Sequence, residues 1–524
     1  MEGTTANAAH QSTEEPSGQS SLPAWGPWLI FGVLLTLFLA FPTRTYDGDA
    51  LKRVGIMFGP PKFEGSNHPF TNGYFAIWWN LVKGFAGTDV VRRLDALIAM
   101  NSFFGAAAAA FGCAWLGRIG VKRNMALLGG LALGLTSASV YHSTQTTEPI
   151  SAQFWFMLSL YVGTLSNLGK TSGILSGACW ATAVASYQSY FLVGPFALWI
   201  HCRRWRDVIP WTVAAGTVGF FLFGLAAHLN GQSGISGFVK YLTTKHDGEY
   251  WGFFTLGQTA RVPLGFSVAV ANPWPLSDWP GLLAGFKRLS PLWKILCPIQ
   301  ILTTWVLVAA ALLIKPHEPL RRFRWPLALG FAACTFPPLY LSPQYWKLWL
   351  LPVALIQLLG ILVAASYRRG VGFLVLCLLI QVACNVPRIL VRSNNPNSAS
   401  INTAKALAET LKPSDLLICD AWGDPAFFCA TNPDQKRLDL MNYHDGPTEL
   451  WSRIRTHLAS GNRVFIYGVV DRSRDKWSTS DLGTRPNLMK FEELQPLREI
   501  LKTPLWSGAS KGTSENLYEI LKAP

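Results

Sequence analysis

Long apolar runs alternate with short polar breaks over residues 24–387, and the pattern changes beyond them. About 20 apolar residues in a helix cross a hydrocarbon core of roughly 30 Å. The pattern predicts a mainly α, polytopic membrane body with about eleven transmembrane helices. The predicted spans are 25–41, 90–116, 124–141, 150–167, 173–187, 190–201, 208–229, 292–314, 325–341, 348–366 and 371–387.

Residues 393–524 have the pattern of a water-soluble domain. The segment 403–411 is amphipathic with a helical period, and 449–458 repeats that period. Short apolar runs at 415–419 and 463–467 are typical of buried strands. Alternation of helix and strand predicts a small α/β domain. The domain has no GxGxxG or P-loop sequence, so a nucleotide-binding role has no support.

Three further segments have distinct compositions. Residues 1–23 are rich in Ser, Thr, Gln and Glu and lack Lys and Arg, which predicts a disordered cytoplasmic tail and no cleaved signal peptide. Residues 43–89 form a first polar loop, whose Trp-rich part at 74–82 is expected on the membrane surface. Residues 230–291 form a second, whose apolar piece at 262–271 is too short to span and is expected to be re-entrant or interfacial.

The distribution of charge predicts the topology. Of the net charge of +15, residues 1–387 carry +13 and residues 388–524 carry +2, which argues against nucleic-acid binding. Alternate breaks between spans hold thirteen basic residues, whereas the intervening breaks hold only Lys347. Basic residues favour cytoplasmic loops. This predicts a cytoplasmic amino terminus and places 43–89, 142–149, 230–291 and the C-terminal domain outside.

Nine cysteines occur without CxxC pairs, and no spacing typical of a metal site is found. Seven lie in or beside apolar runs, where cysteine usually acts as a small buried hydrophobe. Cys419 and Cys429 lie in the soluble domain. They can pair if that domain is extracytoplasmic.

Two acids follow the first span, Asp47 and Asp49. One interpretation is a pair of solvated loop acids beside a turn glycine. The other is a general base at a partly dry interface, or an oxygen ligand of a divalent cation. Acidic residues are scarce in the membrane body, which favours a chemical role for the pair.

The turn Tyr141–Pro149 holds the next candidates. Glu148 is its only acid, and His142 is a second titratable group. Glu148 either stabilises the start of the following helix or adds a second carboxylate to the first loop. Further candidates for substrate binding, by charge or aromatic character at the outer face, are His68, Tyr187, His246, Arg261, Tyr345 and Lys347.

Four motifs together resemble the GT-C glycosyltransferases, polytopic enzymes that use polyprenyl-phosphate-linked sugars. Members include protein O-mannosyltransferases and aminoarabinose transferases. The motifs are Tyr46-Asp47-Gly48-Asp49, His68-Pro69, the turn from Ser143 to Glu148, and the aromatic-basic-proline run from Tyr345 to Pro352. The resemblance covers residues 1–387. Many members have Asp-Glu where this chain has Asp-Gly-Asp, which leaves the choice between Asp49, the favoured base, and Asp47 open.

The resemblance implies an inverting sugar transfer at the outer face of the cell membrane, in bacteria the inner membrane. The donor would be a polyprenyl-phosphate-linked sugar, and the acceptor a lipid, a glycan or a protein. Arg261 or Lys347 would stabilise the leaving phosphate. Some members need a divalent cation and others do not, so the cofactor stays open.

Two other functions are compatible with a polytopic chain. A transporter or flippase of lipid-linked saccharides would be expected to have internal repeats and charges inside its spans, and neither is found in the sequence. A structural membrane component would not need the loop aspartates. The structural alternative therefore predicts that substitution of Asp47 or Asp49 leaves function intact.

Overall fold

A computed structural model describes most of the chain in eighteen stretches. These are residues 22–44, 46, 48–58, 68–87, 89–165, 169–202, 205–243, 256–272, 291–340, 346–394, 398–420, 425–440, 443, 445–474, 477, 490–501, 503–510 and 513–523. The predicted tail at 1–23 lies outside them except for its last two residues. Asp47, His246 and Tyr345 also lie outside the described residues.

The described part of residues 22–394 is almost entirely helical. Its α-helices are Trp25–Ala40, Gly48–Leu51, Thr71–Val82, Val90–Arg118, Arg123–Gly134, Ser137–Ser143, Pro149–Val162, Lys170–Ser186, Gly194–His201, Trp205–Leu229, Gly234–Thr243, Leu256–Val270, Pro291–Leu313, Arg324–Cys334, Phe336–Tyr340, Trp346–Ala365 and Gly370–Arg392. Three 3₁₀ helices, Lys52–Met57, Gln188–Val193 and Leu320–Phe323, lie between them. The predicted mainly α class is confirmed.

The prediction of eleven spans is not confirmed. Among the described residues, five helices are long and apolar enough to cross a membrane, or six if Arg123–Gly134 and Ser137–Ser143, bent by 63°, form one span. Other predicted spans form shorter helices, such as Lys170–Ser186 with 17 residues and Pro149–Val162 with 14. A helix of 17 residues is about 25 Å long, less than a bilayer core. The chain is nevertheless a multi-pass membrane protein.

The described part of the second polar loop, 230–291, is largely helical. It contains the helices Gly234–Thr243 and Leu256–Val270. The apolar piece at 262–271 forms the end of the latter helix and the residue after it, and its part at 265–271 is buried in the bundle. Phe266 packs against the rings of Trp305 and Trp349, at centroid distances of 5.6 Å each. Aromatic contacts of this kind stabilise the helix inside the bundle, although its apolar run is too short to span the membrane.

Small residues allow the helix Val90–Arg118 to contact several neighbours closely. It has a buried run of alanines, Ala106–Ala110. A Cβ atom at Gly105 would overlap the side chain of Ser143. Small residues at helix interfaces are typical of membrane proteins because they let backbones approach. Gly105 therefore brings the end of helix Ser137–Ser143 against this central helix.

The C-terminal domain contains a five-stranded sheet. Its strands are β1 Leu416–Cys419, β2 Arg437–Asp439, β3 Val464–Tyr467, β4 Trp506–Ser510 and β5 Thr513–Ile520, in the order β2-β1-β3-β5-β4. Strand β1 is parallel to β2 and β3, whereas β5 is antiparallel to β3 and β4. Its helices are Ala399–Thr410, Ala426–Thr431, Gly446–Ala459 and Gln495–Ile500. The predicted α/β class is confirmed, and β2, β4 and β5 are additions to it.

One face of this sheet packs against the first polar loop. Leu417 and Cys419 of β1 share a hydrophobic cluster with Tyr46, Leu51 and Val54, whereas Leu416 and Ile418 face the other side. Alternate strand residues point to opposite faces. The Tyr46 ring stacks on Phe427, with centroids 5.1 Å apart and planes inclined by 16°. The domain and the first loop therefore lie on one side of the membrane body.

Candidate active site

The buried turn that ends with Glu148 is held by the central helix Val90–Arg118. The side-chain amide of Asn101 donates hydrogen bonds to the carbonyl oxygens of Gln145 and Thr147, at 2.6 and 2.7 Å. Ser102 Oγ donates to Ser143 O at 2.9 Å. These bonds satisfy backbone groups that water cannot reach. These hydrogen bonds hold the turn in one conformation. Glu148 is its last residue and lies immediately before the helix Pro149–Val162.

Glu148 forms a buried ion pair with Arg53 of the first loop. Arg53 Nη2 lies 2.7 Å from Glu148 Oε1, and the two side chains are 0% and 1% exposed. Arg53 belongs to the 3₁₀ helix Lys52–Met57. A buried carboxylate and guanidinium stabilise each other only with close geometry, since both lose their hydration. The pair joins the loop to the turn.

His68 completes this cluster. Its Nε2 lies 3.9 Å from Glu148 Oε1. Its ring stacks on Tyr187, with centroids 5.4 Å apart and planes inclined by 6°. Tyr187 follows the helix Lys170–Ser186. The structure therefore brings together three of the residues predicted from the sequence, Glu148, His68 and Tyr187.

The segment after His68 is anchored to the same helix end. Thr71 Oγ1 donates to Ser186 O at 3.0 Å, and a 3.1 Å hydrogen bond joins the Tyr74 hydroxyl to Ser186 Oγ. Burial raises the pKa of Tyr74 to about 12, so this hydroxyl stays protonated at neutral pH. These bonds join the segment after His68 to Ser186, the residue before Tyr187, and so hold the two stacked rings together.

The acidic part of the first loop is bonded to the turn by its backbone. Thr43 N donates to Thr144 O at 3.0 Å, and their hydroxyls are 2.9 Å apart. Thr146 Oγ1 donates to the carbonyl oxygen of Ala50. Asp49, the residue before Ala50, lies in the short helix Gly48–Leu51. Its backbone is therefore beside the Glu148 turn.

Arg44 fixes the start of this loop. Its guanidinium binds both carboxylate oxygens of Asp95, with Nη2 2.7 Å from Oδ2. Burial lowers the pKa of Arg44, but the hydrogen bonds and charge interactions with Asp95 and Tyr46 together outweigh burial and raise that pKa above its ordinary value. Burial also raises the pKa of Tyr46 to about 12, against the opposing effect of Arg44. Arg44 therefore holds the start of the loop through its ion pair with Asp95, and Tyr46 stays uncharged at neutral pH.

The remaining predicted residues have other surroundings. His142 is buried, with its Nδ1 atom 2.8 Å from Thr147 Oγ1 in the same turn. Arg261 is half-buried on the helix Leu256–Val270, and Lys347 is half-buried at the start of Trp346–Ala365. Within the described stretches, no group of three or more His, Cys, Asp or Glu side chains is placed to hold a metal ion. The side chains of Asp47 and Asp49 are not among those described, so a cation site there stays a prediction.

Solved structures provide the comparison. No protein-family model and no curated protein matches the chain. The oligosaccharyltransferase of Archaeoglobus fulgidus in its apo form aligns with a TM-score of 0.51 and 9% identity, over 90% of this chain and 72% of that one. Archaeal oligosaccharyltransferase AglB, from the same organism and in complex with an inhibitory peptide and a dolichol-phosphate, aligns with a TM-score of 0.50 and 10% identity, over 94% and 74%. The chain has the GT-C fold. At these identities the likeness concerns the backbone arrangement alone.

A bacterial GT-C structure aligns over a larger share of its own length. ArnT from Cupriavidus metallidurans bound to undecaprenyl phosphate has 13% identity, and the alignment covers 96% of this chain and 100% of that one, with a TM-score of 0.43. The alignment with the oligosaccharyltransferase of Archaeoglobus fulgidus confirms the resemblance drawn from the sequence motifs at the level of fold. The roles of the individual residues stay predictions.

Sequence reasoning missed Arg53 in this GT-C body. Arg53 follows the acidic motif by four residues, and the loop holds other basic residues, such as Lys52 and Lys62. No feature of the sequence distinguishes Arg53 from these other basic residues. The scarcity of acids in the membrane body, which drew attention to Glu148, was a usable signal. A buried acid requires a cation or a hydrogen-bond donor nearby.

Proposed function

We propose that the chain is a membrane glycosyltransferase that moves a sugar from a polyprenyl-phosphate donor to a lipid, glycan or protein acceptor. The observation that carries the proposal is the junction of the acidic loop with the Glu148 turn. The junction consists of the hydrogen bond from Thr146 Oγ1 to the carbonyl oxygen of Ala50 and the ion pair between Arg53 and Glu148. This junction occurs in a GT-C fold, and AglB, a neighbour of that fold, is an oligosaccharyltransferase whose structure is in complex with an inhibitory peptide and a dolichol-phosphate.

In this proposal, Asp49 is the general base, with Asp47 as the alternative. The base removes the proton from an acceptor hydroxyl or amine, which then attacks the anomeric carbon. The bond from that carbon to the phosphate oxygen breaks, and the configuration inverts. A positioned carboxylate typically contributes about 10²–10⁴-fold to such a step. Polyprenyl phosphate is the leaving group.

Glu148 has a different role in this mechanism. Its Oε1 atom is engaged by Arg53, so it is a poorer candidate for proton transfer than the loop aspartates. We assign it as a positioning residue, which holds Arg53 and with it the loop that carries Asp49. Misplacement of a base by about 1 Å can lower a rate by about 100-fold. The pair therefore matters for catalysis without contact with the reacting atoms.

The location of the site suits substrates that reside in a membrane. The helix Thr71–Val82 buries Phe75 and Trp79 but exposes Ile77 and Leu81. Exposed apolar residues beside buried ones favour a position on the bilayer surface. With the topology indicated by the basic residues, the site would open to the outer face. We expect the C-terminal domain to cover it from the aqueous side.

The experiment is a transfer assay on membranes that contain the full chain, with a radiolabelled polyprenyl-phosphate sugar. Asp49→Asn is expected to lower transfer about 100-fold or more. Glu64→Gln, which removes an acid of the same loop outside the Asp-Gly-Asp motif, serves as the matched control. Full transfer by Asp49→Asn and by Asp47→Asn, with normal amounts of protein, would refute the base assignment.

A further inference from the structure

A cavity of about 710 Å³ lies between three long helices of the membrane body, Pro291–Leu313, Trp346–Ala365 and Gly370–Arg392. Each helix lines it with residues three or four positions apart, which share one helix face. The wall is mainly apolar and includes Phe266, Val308, Ile356, Ile361, Leu374 and Cys377. Apolar cavities of this size are typical of small-molecule sites, in which a few polar groups orient the ligand.

Three glutamine side chains supply such polar groups, one from each helix: Gln300, Gln357 and Gln381. Gln300 and Gln381 are only 1% and 4% exposed. In all three side chains the Oε1 atom is buried and has no hydrogen-bond partner among the described residues. A buried polar atom without a partner is unfavourable and requires an explanation. Three such atoms around one cavity indicate that the cavity receives a ligand.

The partners of the amide nitrogens fix the orientation of two of these side chains. Gln300 Nε2 donates to Ser267 O at 2.8 Å and to Thr304 Oγ1 at 3.1 Å. Gln357 Nε2 donates to Ala132 O at 3.4 Å. A carbonyl oxygen can pair only with the NH₂ end of an amide, so the Oε1 ends are the ones left for a ligand. The cavity therefore offers acceptors, and the ligand must bring the donors.

Charge decides which class of donor fits. Among the lining residues that the structure describes, none is charged. A phosphate or carboxylate head would face carbonyl oxygens with no cation beside them, and an ammonium head would lose its hydration without a counter-charge. A hydroxyl group is neutral and donates a hydrogen bond to a carbonyl oxygen. The cavity therefore suits a hydroxyl head and disfavours a phosphate-bearing one.

The cavity is accessible from the hydrocarbon of the bilayer. Its lining includes Thr303 and Ile380, which are half-buried. Directly beside them, Leu302 and Leu379 are largely exposed on helices long and apolar enough to cross a membrane. Large apolar side chains exposed on such helices face lipid. A ligand that enters between them comes from the membrane, so the rest of that ligand is apolar.

The cavity is separate from the cluster around Glu148. The last helix reaches the first loop at its C-terminal end, where Arg44 N donates to Arg392 O at 2.7 Å. Gln381 lies eleven residues before Arg392 on that helix, a distance of about 16 Å along the axis. Neither Glu148 nor His68 lines the cavity. Its ligand therefore does not occupy the site proposed for sugar transfer.

We infer that this cavity binds a neutral lipid whose head carries at least two free hydroxyl groups, such as a monoacylglycerol. The hydroxyls donate to the Oε1 atoms of Gln300, Gln357 and Gln381, and the hydrocarbon chain packs against the apolar wall. Each hydroxyl has one proton to donate, so a head with two hydroxyls satisfies two of the three acceptors and a simple alcohol only one. The binding involves no covalent step and does not require that the chain transfers sugars.

The test uses the purified full chain in lipid nanodiscs and a monoacylglycerol with a photoreactive diazirine on its chain. Mass spectrometry of the peptides should locate the label on the three helices that line the cavity. The competitors are unlabelled monoacylglycerol, its dimethyl ether, the alcohol of equal chain length and the corresponding fatty acid. Monoacylglycerol is expected to displace the label at least about tenfold better than the dimethyl ether or the fatty acid, which corresponds to about 1.4 kcal/mol. The alcohol should be intermediate.

Variants test whether the glutamines carry this preference. Gln300→Met/Gln381→Met nearly conserves side-chain volume and should remove the preference for monoacylglycerol over its dimethyl ether. The matched control is Gln153→Met, at another buried glutamine with an unpartnered Oε1 atom, which does not line the cavity and should bind as the wild type does. Gly360→Leu should abolish labelling by filling the cavity. A Cβ atom there would have Ala311 Cβ, 4.0 Å away, as its nearest neighbour outside the local helix backbone.

Equal displacement by monoacylglycerol and its dimethyl ether, or by the fatty acid, would overturn the assignment, as would an unchanged preference in the double glutamine variant. An alcohol as effective as monoacylglycerol would contradict the two-hydroxyl head. Absence of saturable labelling on the three helices would show that the cavity holds only water, which also refutes the site. If the double variant fails to fold, the competition on the wild type decides. Because no step measures sugar transfer, failure of this site and failure of the proposed function are distinguishable.

Discussion

Arg53 and Glu148 form an ion pair in which the Nη2 and Oε1 atoms are 2.7 Å apart, with both side chains almost completely buried. The pair joins a 3₁₀ helix of the first loop to the turn before Pro149–Val162. Together with the pair of Arg44 and Asp95, it holds the loop that carries Asp49 against the membrane body. Its geometry leads to the first prediction.

Removal of one partner is expected to destabilise the fold. Glu148→Gln or Arg53→Gln leaves an uncompensated or poorly paired buried group, which typically costs about 3–5 kcal/mol. Thermal unfolding in detergent should show a clear fall in Tm for each single variant and partial recovery in the double variant. The control is Arg453→Gln, whose pair with Asp445 is exposed and screened by solvent, and which should leave Tm nearly unchanged. Equal Tm values for Glu148→Gln and this control would contradict the interpretation.

The stack of His68 on Tyr187 is predicted to depend on the aromatic ring and not on the Tyr187 hydroxyl. Tyr187→Phe keeps the ring and should retain transfer, while Tyr187→Leu should lower kcat/KM by about 3–10-fold, since an aromatic pair contributes about 0.5–1.5 kcal/mol. The measurement is the steady-state rate with a lipid-linked donor. A Tyr187→Leu enzyme as active as Tyr187→Phe would show that the stack has no role.

Contact between Tyr46 and Phe427 is predicted to hold the C-terminal domain on the first loop. Phe427→Ala should cost about 3–5 kcal/mol, as is usual for a buried phenyl ring. Limited trypsin digestion should then release the domain faster, and transfer should fall because Tyr46 directly precedes the acidic motif. Phe427→Leu, which conserves most of the volume, is the control. The same digestion rate for Phe427→Ala and wild type would disprove the docking role.

Cys419 and Cys429 are predicted to form a disulfide under mild oxidation. Their Sγ atoms are 3.8 Å apart, and both are free thiols in the structure. The hydrogen bond between the thiols lowers the pKa of Cys429, and nearby Arg437 lowers it further against the effect of burial, so Cys429 is the attacking thiolate. The rate of disulfide formation should therefore rise as pH rises through the pKa of Cys429.

Mass spectrometry of the alkylated protein measures this reaction. Loss of two alkylation sites, both within this pair, is the expected result, and Cys419→Ser should abolish it. Cys113, buried in the membrane body, should stay reduced and serves as an internal control. Persistence of both thiols under conditions that oxidise an exposed cysteine pair would refute the prediction.

Local patterns along the chain were sufficient to predict the class of fold. The helices in 90–118 and 346–392 and the strands at 416–419 and 464–467 follow from apolar runs of the appropriate length. The number of spans did not follow, because hydropathy does not separate a helix that crosses the bilayer from a shorter one inside the bundle. Lys170–Ser186 and Pro149–Val162 are examples.

The candidate site was predicted only in part, because its contacts are long-range. Glu148 stood out by the scarcity of acids and His68 by its motif, but Arg53, the ion-pair partner of Glu148, did not.

The central claim is sugar transfer from a lipid-linked donor at the junction of the first loop and the Glu148 turn. The most direct measurement is release of free polyprenyl phosphate from a polyprenyl-phosphate sugar by the purified full chain in lipid vesicles. Wild type should release polyprenyl phosphate in an acceptor-dependent reaction. The double variant Asp47→Asn/Asp49→Asn should release it at least about 100-fold more slowly. Release by the double variant at the wild-type rate, or no release by the wild type with any donor and acceptor class, would contradict the account.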